Sequence, residues 1–225
     1  MEINLLRNIP LFSGLSSNEL KDFLESSERR RYPRGNIVIY QGDTGEVIYL
    51  ILKGSVKVSL THPDGKEIIL NTLRVGDYFG EMSVFDHMPR SATIVTEEAS
   101  EFLVISKKVF IELIKRNPEI SLKILAEMSK RLREADEQIG SLAHFDVKGR
   151  VAKTLTKLSN KPEIQSHDGY IVIPRPSMKD IAAMSGTSRE TVSRILNELS
   201  KKGILHLTKE SIIIFNAQDI HQSMD

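Results

Sequence analysis

Two short runs, Phe79-Gly80-Glu81-Met82 and Pro89-Arg90-Ser91-Ala92, place a glycine, a carboxylate, a guanidinium and a hydroxyl close together along the chain. A glycine lets backbone N–H groups approach an anion, arginine offers a planar fork to phosphate oxygens, and a carboxylate accepts hydrogen bonds from sugar hydroxyls. These parts suit a sugar phosphate. The same residues also fit a Glu81–Arg90 ion pair that merely ties a loop to a strand. Catalysis is not expected, because no nucleophile and base pair emerges and there is no cysteine. His62, His87 and His144 are scattered without a second ligand at metal spacing, so they read as surface or turn residues.

A second set of polar residues lies near the C-terminus. Ser177-Met178-Lys179-Asp180 and Thr187-Ser188-Arg189-Glu190 are capping-box patterns, each opening a helical segment, with Gly186 between the segments. That is the spacing of a helix-turn-helix. In the second segment Val192, Ile195, Leu196 and Leu199 recur at helical intervals and form a buried face. Glu190, Ser193, Arg194 and Asn197 then point outward, with Arg189 on the exposed first turn. The alternative is an antiparallel helical hairpin with a solvated face. Ile204 to Leu207 and Ser211 to Phe215 read as a following hairpin, which makes a winged helix-turn-helix the better reading. Charge agrees weakly: Lys plus Arg minus Asp plus Glu is 19 − 22 = −3 over residues 1–146 and 12 − 8 = +4 over residues 147–225.

The elements between these sets are legible from period. Asn4 to Glu28 carries two short helical patterns, the second capped by Ser16 or Ser17. From Ile37 to Ile105 short β-rich runs (Ile37 and Ile39, Val47 to Leu52, Ser55 to Leu60, Glu67 to Thr72, Ser91 to Thr96, Glu101 to Ile105) alternate with glycines, and Asp64-Gly65 is a hairpin turn signal. This predicts a barrel, roll or sandwich. Pro118 to Leu142 predicts one long helix in which Leu125, Met128, Leu132, Ala135, Ile139 and Leu142 form an a/d seam. The seam suits a second copy of the chain, and the alternative is an amphipathic helix packed on its own domain. A helix from Val147 to Leu158, a loop through Lys161-Pro162 and a β-like run at Tyr170 to Ile173 complete the α+β chain. The expected domains are residues 1–117, a β-roll sensor; 118–145, a dimerisation helix; and 146–225, a DNA-binding domain. The sequence contains no long apolar run and no signal-peptide pattern near Met1, so a cytoplasmic location without membrane contact is expected.

Gly42-Asp43, Leu52-Lys53-Gly54-Ser55-Val56, Gly76-Asp77-Tyr78-Phe79-Gly80-Glu81 and Pro89-Arg90-Ser91-Ala92 resemble the successive signatures of the cyclic-nucleotide-binding β-roll. With the seam helix and Ser188-Arg189-Glu190-Thr191-Val192-Ser193-Arg194, the chain resembles the cyclic-AMP receptor and fumarate-nitrate regulator family of bacterial transcription factors. Lack of cysteine separates it from the branch that senses oxygen through a cysteine-bound cluster. The resemblance implies a homodimeric, ligand-gated regulator with no covalent cofactor, acting on a palindromic TGTGA-like duplex and on RNA polymerase. It implies that Glu81 holds the ribose 2′-hydroxyl, and that Arg90, Ser91 and the amide after Gly80 hold the cyclic phosphate. Met82 belongs to the same turn, and Val58 and Leu70 wall the base. It further implies that Arg189 and Arg194 read guanine and Glu190 a cytosine amino group, with Ser188 at a phosphate. Where the cyclic-AMP receptors carry two hydroxyl residues against adenine, this chain has Ala135 and Asp136. The resemblance makes cAMP the first expected effector, and a carboxylate there, which could take guanine's paired donors, makes cGMP the second. Asp136 could instead pair with Arg131 of a second copy. Two rivals remain: a cyclic-nucleotide regulatory subunit of an enzyme or channel, and a DNA-binding regulator that responds to another ligand or to none.

Overall fold

The computed structural model describes residues 2–64, 66–160, 164, 166–167 and 170–215. The expected turn at Gly65 and the loop residues Lys161 and Pro162 lie outside the described residues. The chain divides into two compact units, residues 1–134 and 135–225.

The first unit opens with helices α1 (Glu2–Arg7) and α2 (Ser17–Glu25), joined through a 3-10 turn at Pro10–Phe12. Ser16 caps α2: its hydroxyl accepts from the Glu19 N–H, while the Glu19 carboxylate accepts from the Ser16 N–H. The strands that follow are β1 (Glu28–Tyr32), β2 (Ile37–Ile39), β3 (Val47–Lys53), β4 (Ser55–Thr61), β5 (Glu67–Arg74), β6 (Tyr78–Phe79), β7 (Thr93–Thr96) and β8 (Ser100–Ser106). Helix α3 (Met82–Asp86) lies between β6 and β7; α4 (Lys107–Arg116) and the long α5 (Glu119–His144) come after β8.

The strands form two antiparallel sheets, β1-β8-β3-β6 and β2-β7-β4-β5. Between them lies a core of Tyr49, Ile51, Val56, Leu73, Phe79, Ile94, Phe102 and Val104. The alternate residues Ile48, Leu50, Leu103 and Ile105 face a second core with Leu6, Phe12, Leu20, Phe110, Ile120 and Ile124 of the helices. Strands β3 and β8 are thus buried on both faces, which is why their sequences are unbroken apolar runs rather than alternating ones. β1 is different. It forms one edge of its sheet, and Glu28, Arg29, Arg30 and Arg31 are all exposed.

The seam expected on α5 is partly altered. Leu122, Leu125, Leu132, Ile139 and Leu142 are exposed, while Met128 packs against the helical core of its own unit. Leu125, Leu132 and Ile139 still recur every seven residues, so an unburied apolar stripe runs along the helix. No helix among the described residues is long and apolar enough to cross a membrane.

The second unit contains α6 (Val147–Ser159), β9 (Ser166–His167), β10 (Tyr170–Pro174), α7 (Met178–Ser185), α8 (Arg189–Lys201), β11 (Leu205–Leu207) and β12 (Ser211–Ile214). One core joins them, with Val151, Leu155, Ile181, Val192, Ile195, Leu196, Leu199, Leu205, Ile212 and Ile214 at its centre. The wing strands pair Leu205 with Ile214 and Leu207 with Ile212, and β10 lies on the other side of β12.

Candidate functional site

Arg90 sits in a slot made by missing side chains. It is only 7% exposed, and its Nη1 and Nη2 donate to the carbonyls of Gly80 (2.6 Å) and Val47 (2.9 Å). A Cβ on Gly45 or on Gly80 would collide with the guanidinium, and Gly80 also has a φ of +85°, a left-handed conformation that side chains disfavour. Burial pulls the Arg90 pKa below its ordinary value, with Tyr49, Glu81 and Asp43 acting in the opposite sense. A buried cation bonded to two neutral carbonyls can still gain a great deal from an anion.

Glu81 is not the partner of Arg90. Its Oε1 forms an ion pair with Arg131 of α5 at 2.9 Å, so the simple Glu81–Arg90 tie is replaced by a link from roll to helix. Arg131 also donates to the Tyr78 carbonyl (2.8 Å), lies 5.1 Å from the Tyr78 ring centroid and meets Glu127 at 3.3 Å. Within one chain Arg131 is thus engaged by Glu81, Glu127 and the Tyr78 carbonyl. Glu81 Oε2 is buried and has no hydrogen-bond partner among the described residues. Burial pushes the Glu81 pKa up while Arg131 pulls it down, and burial dominates.

The remaining pocket residues expected from sequence separate into groups. Met82 and Ser91 are exposed beside Arg90 and Glu81 and touch through the Ser91 hydroxyl and the Met82 sulfur at 3.4 Å. Val58 faces Asn71 across the β4–β5 ladder, not Leu70, because the register shifts between Val58 and Ser59 and leaves Leu70 without a paired residue. Ala135 and Asp136 are exposed and belong to the second unit. Sequence reasoning missed Gly45 and the pairing of Arg131 with Glu81. It also missed Asn71, whose amide donates to the Glu134 carboxylate of α5 at 3.0 Å. The positions of Arg131 and Glu134 three apart on one helix were the available signal. His62, His87 and His144 are exposed, and no metal-ligand cluster occurs among the described residues.

In the second unit each helix of the helix-turn-helix has a serine cap. The Ser177 hydroxyl accepts from the Asp180 N–H at 3.0 Å and the Ser188 hydroxyl from the Thr191 N–H at 3.2 Å, so the second cap is Ser188 rather than Thr187. Gly186 ends α7 in the left-handed conformation. Val192, Ile195, Leu196 and Leu199 are buried, while Arg189, Glu190, Ser193, Arg194 and Asn197 are exposed on one open groove. The groove also takes in Arg175, Ser177, Met178 and Lys179, which motif reasoning did not assign to this face. Arg175 is anchored there by bonds from its guanidinium to the Thr208 carbonyl and from its backbone N–H to the Glu210 carbonyl (2.8 Å). The Glu190 carboxyl lies below its usual range because its own backbone N–H and the Ser188 hydroxyl favour the charged form. It is thus an acceptor at neutral pH.

The cyclic nucleotide-binding domain family matches residues 29–117, and the Crp-like helix-turn-helix domain family matches residues 149–221. The chain is 37% identical to the cyclic AMP receptor protein of Thermus thermophilus over 202 residues, covering 90% of each. It belongs to the cyclic-AMP receptor and fumarate-nitrate regulator family. A similar likeness holds to the cAMP-activated global transcriptional regulator CRP of Escherichia coli O6:H1, at 36% identity over 88% of this chain and 95% of that one. Among solved structures, the c-di-GMP responsive global regulator CLP of Xanthomonas campestris is similar with a TM-score of 0.81 and 30% identity, covering 89% of this chain and all of that one. The chain is accordingly a DNA-binding transcription regulator carrying a cyclic nucleotide-binding domain.

The Glu81–Arg131 link generates a stability prediction. Arg131→Met leaves Glu81 buried without its cation and is expected to cost about 3–5 kcal/mol. Because the Glu81 pKa is already raised by burial and rises further without Arg131, the folded state favours the protonated form. The deficit should therefore shrink in acid and be fullest once the pH exceeds the folded pKa, as read from urea unfolding at a series of pH values. Adding Glu81→Gln to Arg131→Met should recover most of the loss at neutral pH.

Proposed function

We propose that the first unit binds a cyclic nucleotide, with the phosphate on Arg90 and Ser91, a ribose hydroxyl on Glu81, and the base against Val58. The observation that carries this is the buried Arg90 guanidinium, bonded to the Gly80 and Val47 carbonyls, near a buried Glu81 oxygen that lacks a donor among the described residues. An anion and a hydroxyl on one small molecule complement both. Likeness to two regulators named for cAMP favours cAMP first, with cGMP second.

The ligand acts on α5 because the hydroxyl it brings bonds the same carboxylate that holds Arg131. Only a ligand with unequal affinity for two arrangements of the protein can shift their populations, so this shared carboxylate is the proposed point of gating. The exposed Leu125, Leu132 and Ile139 stripe supports a homodimer through α5. Two copies of α8 then suit a palindromic TGTGA-like site, with Arg189 and Arg194 on guanine, Glu190 on a cytosine amino group and Ser188 at a phosphate. RNA polymerase is the proposed downstream partner.

Calorimetry with cAMP, cGMP and c-di-GMP tests the pocket. Arg90→Leu is expected to weaken the bound nucleotide on the order of 100-fold, and an unchanged Kd rejects the assignment. In anisotropy titrations Arg194→Ala should cost about 1–3 kcal/mol on a TGTGA-like palindrome and leave random duplex binding nearly unaffected. Equal losses on both duplexes would identify a phosphate contact instead. Leu132→Glu should yield monomers by light scattering at micromolar protein, because it sets a charge in the middle of the apolar stripe.

A further inference from the structure

Asn71 and Glu134 form a polar pair that none of the assigned roles uses. Asn71 stands directly across from Val58 in the β4–β5 ladder, at the place where the base wall was expected to be purely apolar. Its Oδ1 accepts from the Thr72 N–H at 2.8 Å, which fixes the amide so that Nδ2 points to Glu134 Oε2 at 3.0 Å. Glu134 lies one turn beyond Arg131 on the same helix, so α5 brings one residue to Glu81 and the next to the base wall.

Glu127 of α5 and Glu81 of the roll are both engaged by Arg131. Glu134 differs, since the partner found for it among the described residues is the neutral amide of Asn71. A neutral donor orients the carboxylate without pairing it with a cation. Oε1 and the second lone pair of Oε2 are then available to a ligand.

We propose that Asn71 and Glu134 are the base-selecting pair of the nucleotide site, and that the Glu134 carboxylate favours the guanine edge over the adenine edge. The proposal rests on the cyclic-nucleotide reading of the pocket given above. An ionised carboxylate only accepts hydrogen bonds. Guanine presents a ring N–H and an amino group side by side, so both oxygens are used. Adenine presents an amino group next to a ring nitrogen with a lone pair, so one oxygen gains a donor and the other faces an acceptor. A carboxamide reverses this, because its oxygen and NH2 match the adenine pair and mismatch the guanine pair.

The test uses the full chain, with cGMP and cAMP as probes in calorimetry. Glu134→Gln is expected to lower the ratio of cGMP to cAMP affinity by roughly tenfold or more, with cAMP unchanged or tighter. Asn71→Ala should move the ratio in the same direction by a smaller factor, since it releases the carboxylate without removing it. Glu134→Met, which lacks both acceptor and donor, keeps the comparison available if the glutamine variant does not fold, and it should also lose the cGMP contribution. If both nucleotides bind and the substitutions at 134 leave the ratio within twofold, base selection by this pair is wrong and the pocket stands. Binding of neither nucleotide to the unmodified chain overturns the pocket reading and this inference together.

Discussion

The Glu81–Arg131 ion pair is the contact on which the nucleotide end of the molecule depends, because both ends of it are costly to leave alone. A carboxylate that is 2% exposed has lost its hydration, and attraction to a cation offsets that loss only with close geometry and further hydrogen bonds. Arg131 meets the condition through Glu81, Glu127, the Tyr78 carbonyl and the Tyr78 ring together. Arg90 presents the opposite case. It is a buried cation set between two glycines and bonded to carbonyls, with no carboxylate in hydrogen-bond contact among the described residues. The roll therefore holds a carboxyl and a guanidinium close together without a direct ion pair between them, and Glu81 Oε2 keeps an unused acceptor among the described residues.

At the other end the requirement is orientation rather than charge. Helix α8 presents Arg189, Glu190 and Arg194 from a fixed backbone, since the Ser188 cap and four buried apolar residues hold it. The turn before it is held from α6. Arg150 donates to the carbonyls of Ser185 (2.9 Å), Gly186 (3.3 Å) and Phe145 (3.0 Å), and the Thr154 and Ser185 hydroxyls pair at 2.8 Å. The helix-turn-helix is thus positioned by polar bonds to its backbone as well as by its core.

Local patterns made most helices and most strands legible in the sequence, because caps, glycines and apolar periods act over a few residues, although the short α3 and the Ser106-capped α4 were not read. The buried face of α8 could be read from Val192, Ile195, Leu196 and Leu199, and Arg90 stood out through its neighbours in the motif. Elements without such a signature escaped: β1 is almost wholly charged, and β6 is two residues long. Met128 shows why the seam was only partly legible, since an a/d pattern does not say whether a given position faces a second chain or the chain's own core. The choice of Arg131 for Glu81 and of Asn71 for Val58 depends on contacts between residues distant in sequence and on one register shift, neither of which a motif records.

The exposed arginines of β1 have an effect away from both sites. An edge strand offers unsatisfied backbone groups to any other strand, and association of two copies through helices would bring such edges to high local concentration. Arg30 is folded onto Glu28, and Arg29 and Arg31 share Glu101 of the neighbouring β8, so the strand is covered by guanidinium groups anchored to its own sheet. Charge placed in this way guards against ribbon-like aggregation through the β1 edge and leaves the apolar stripe of α5 uncovered.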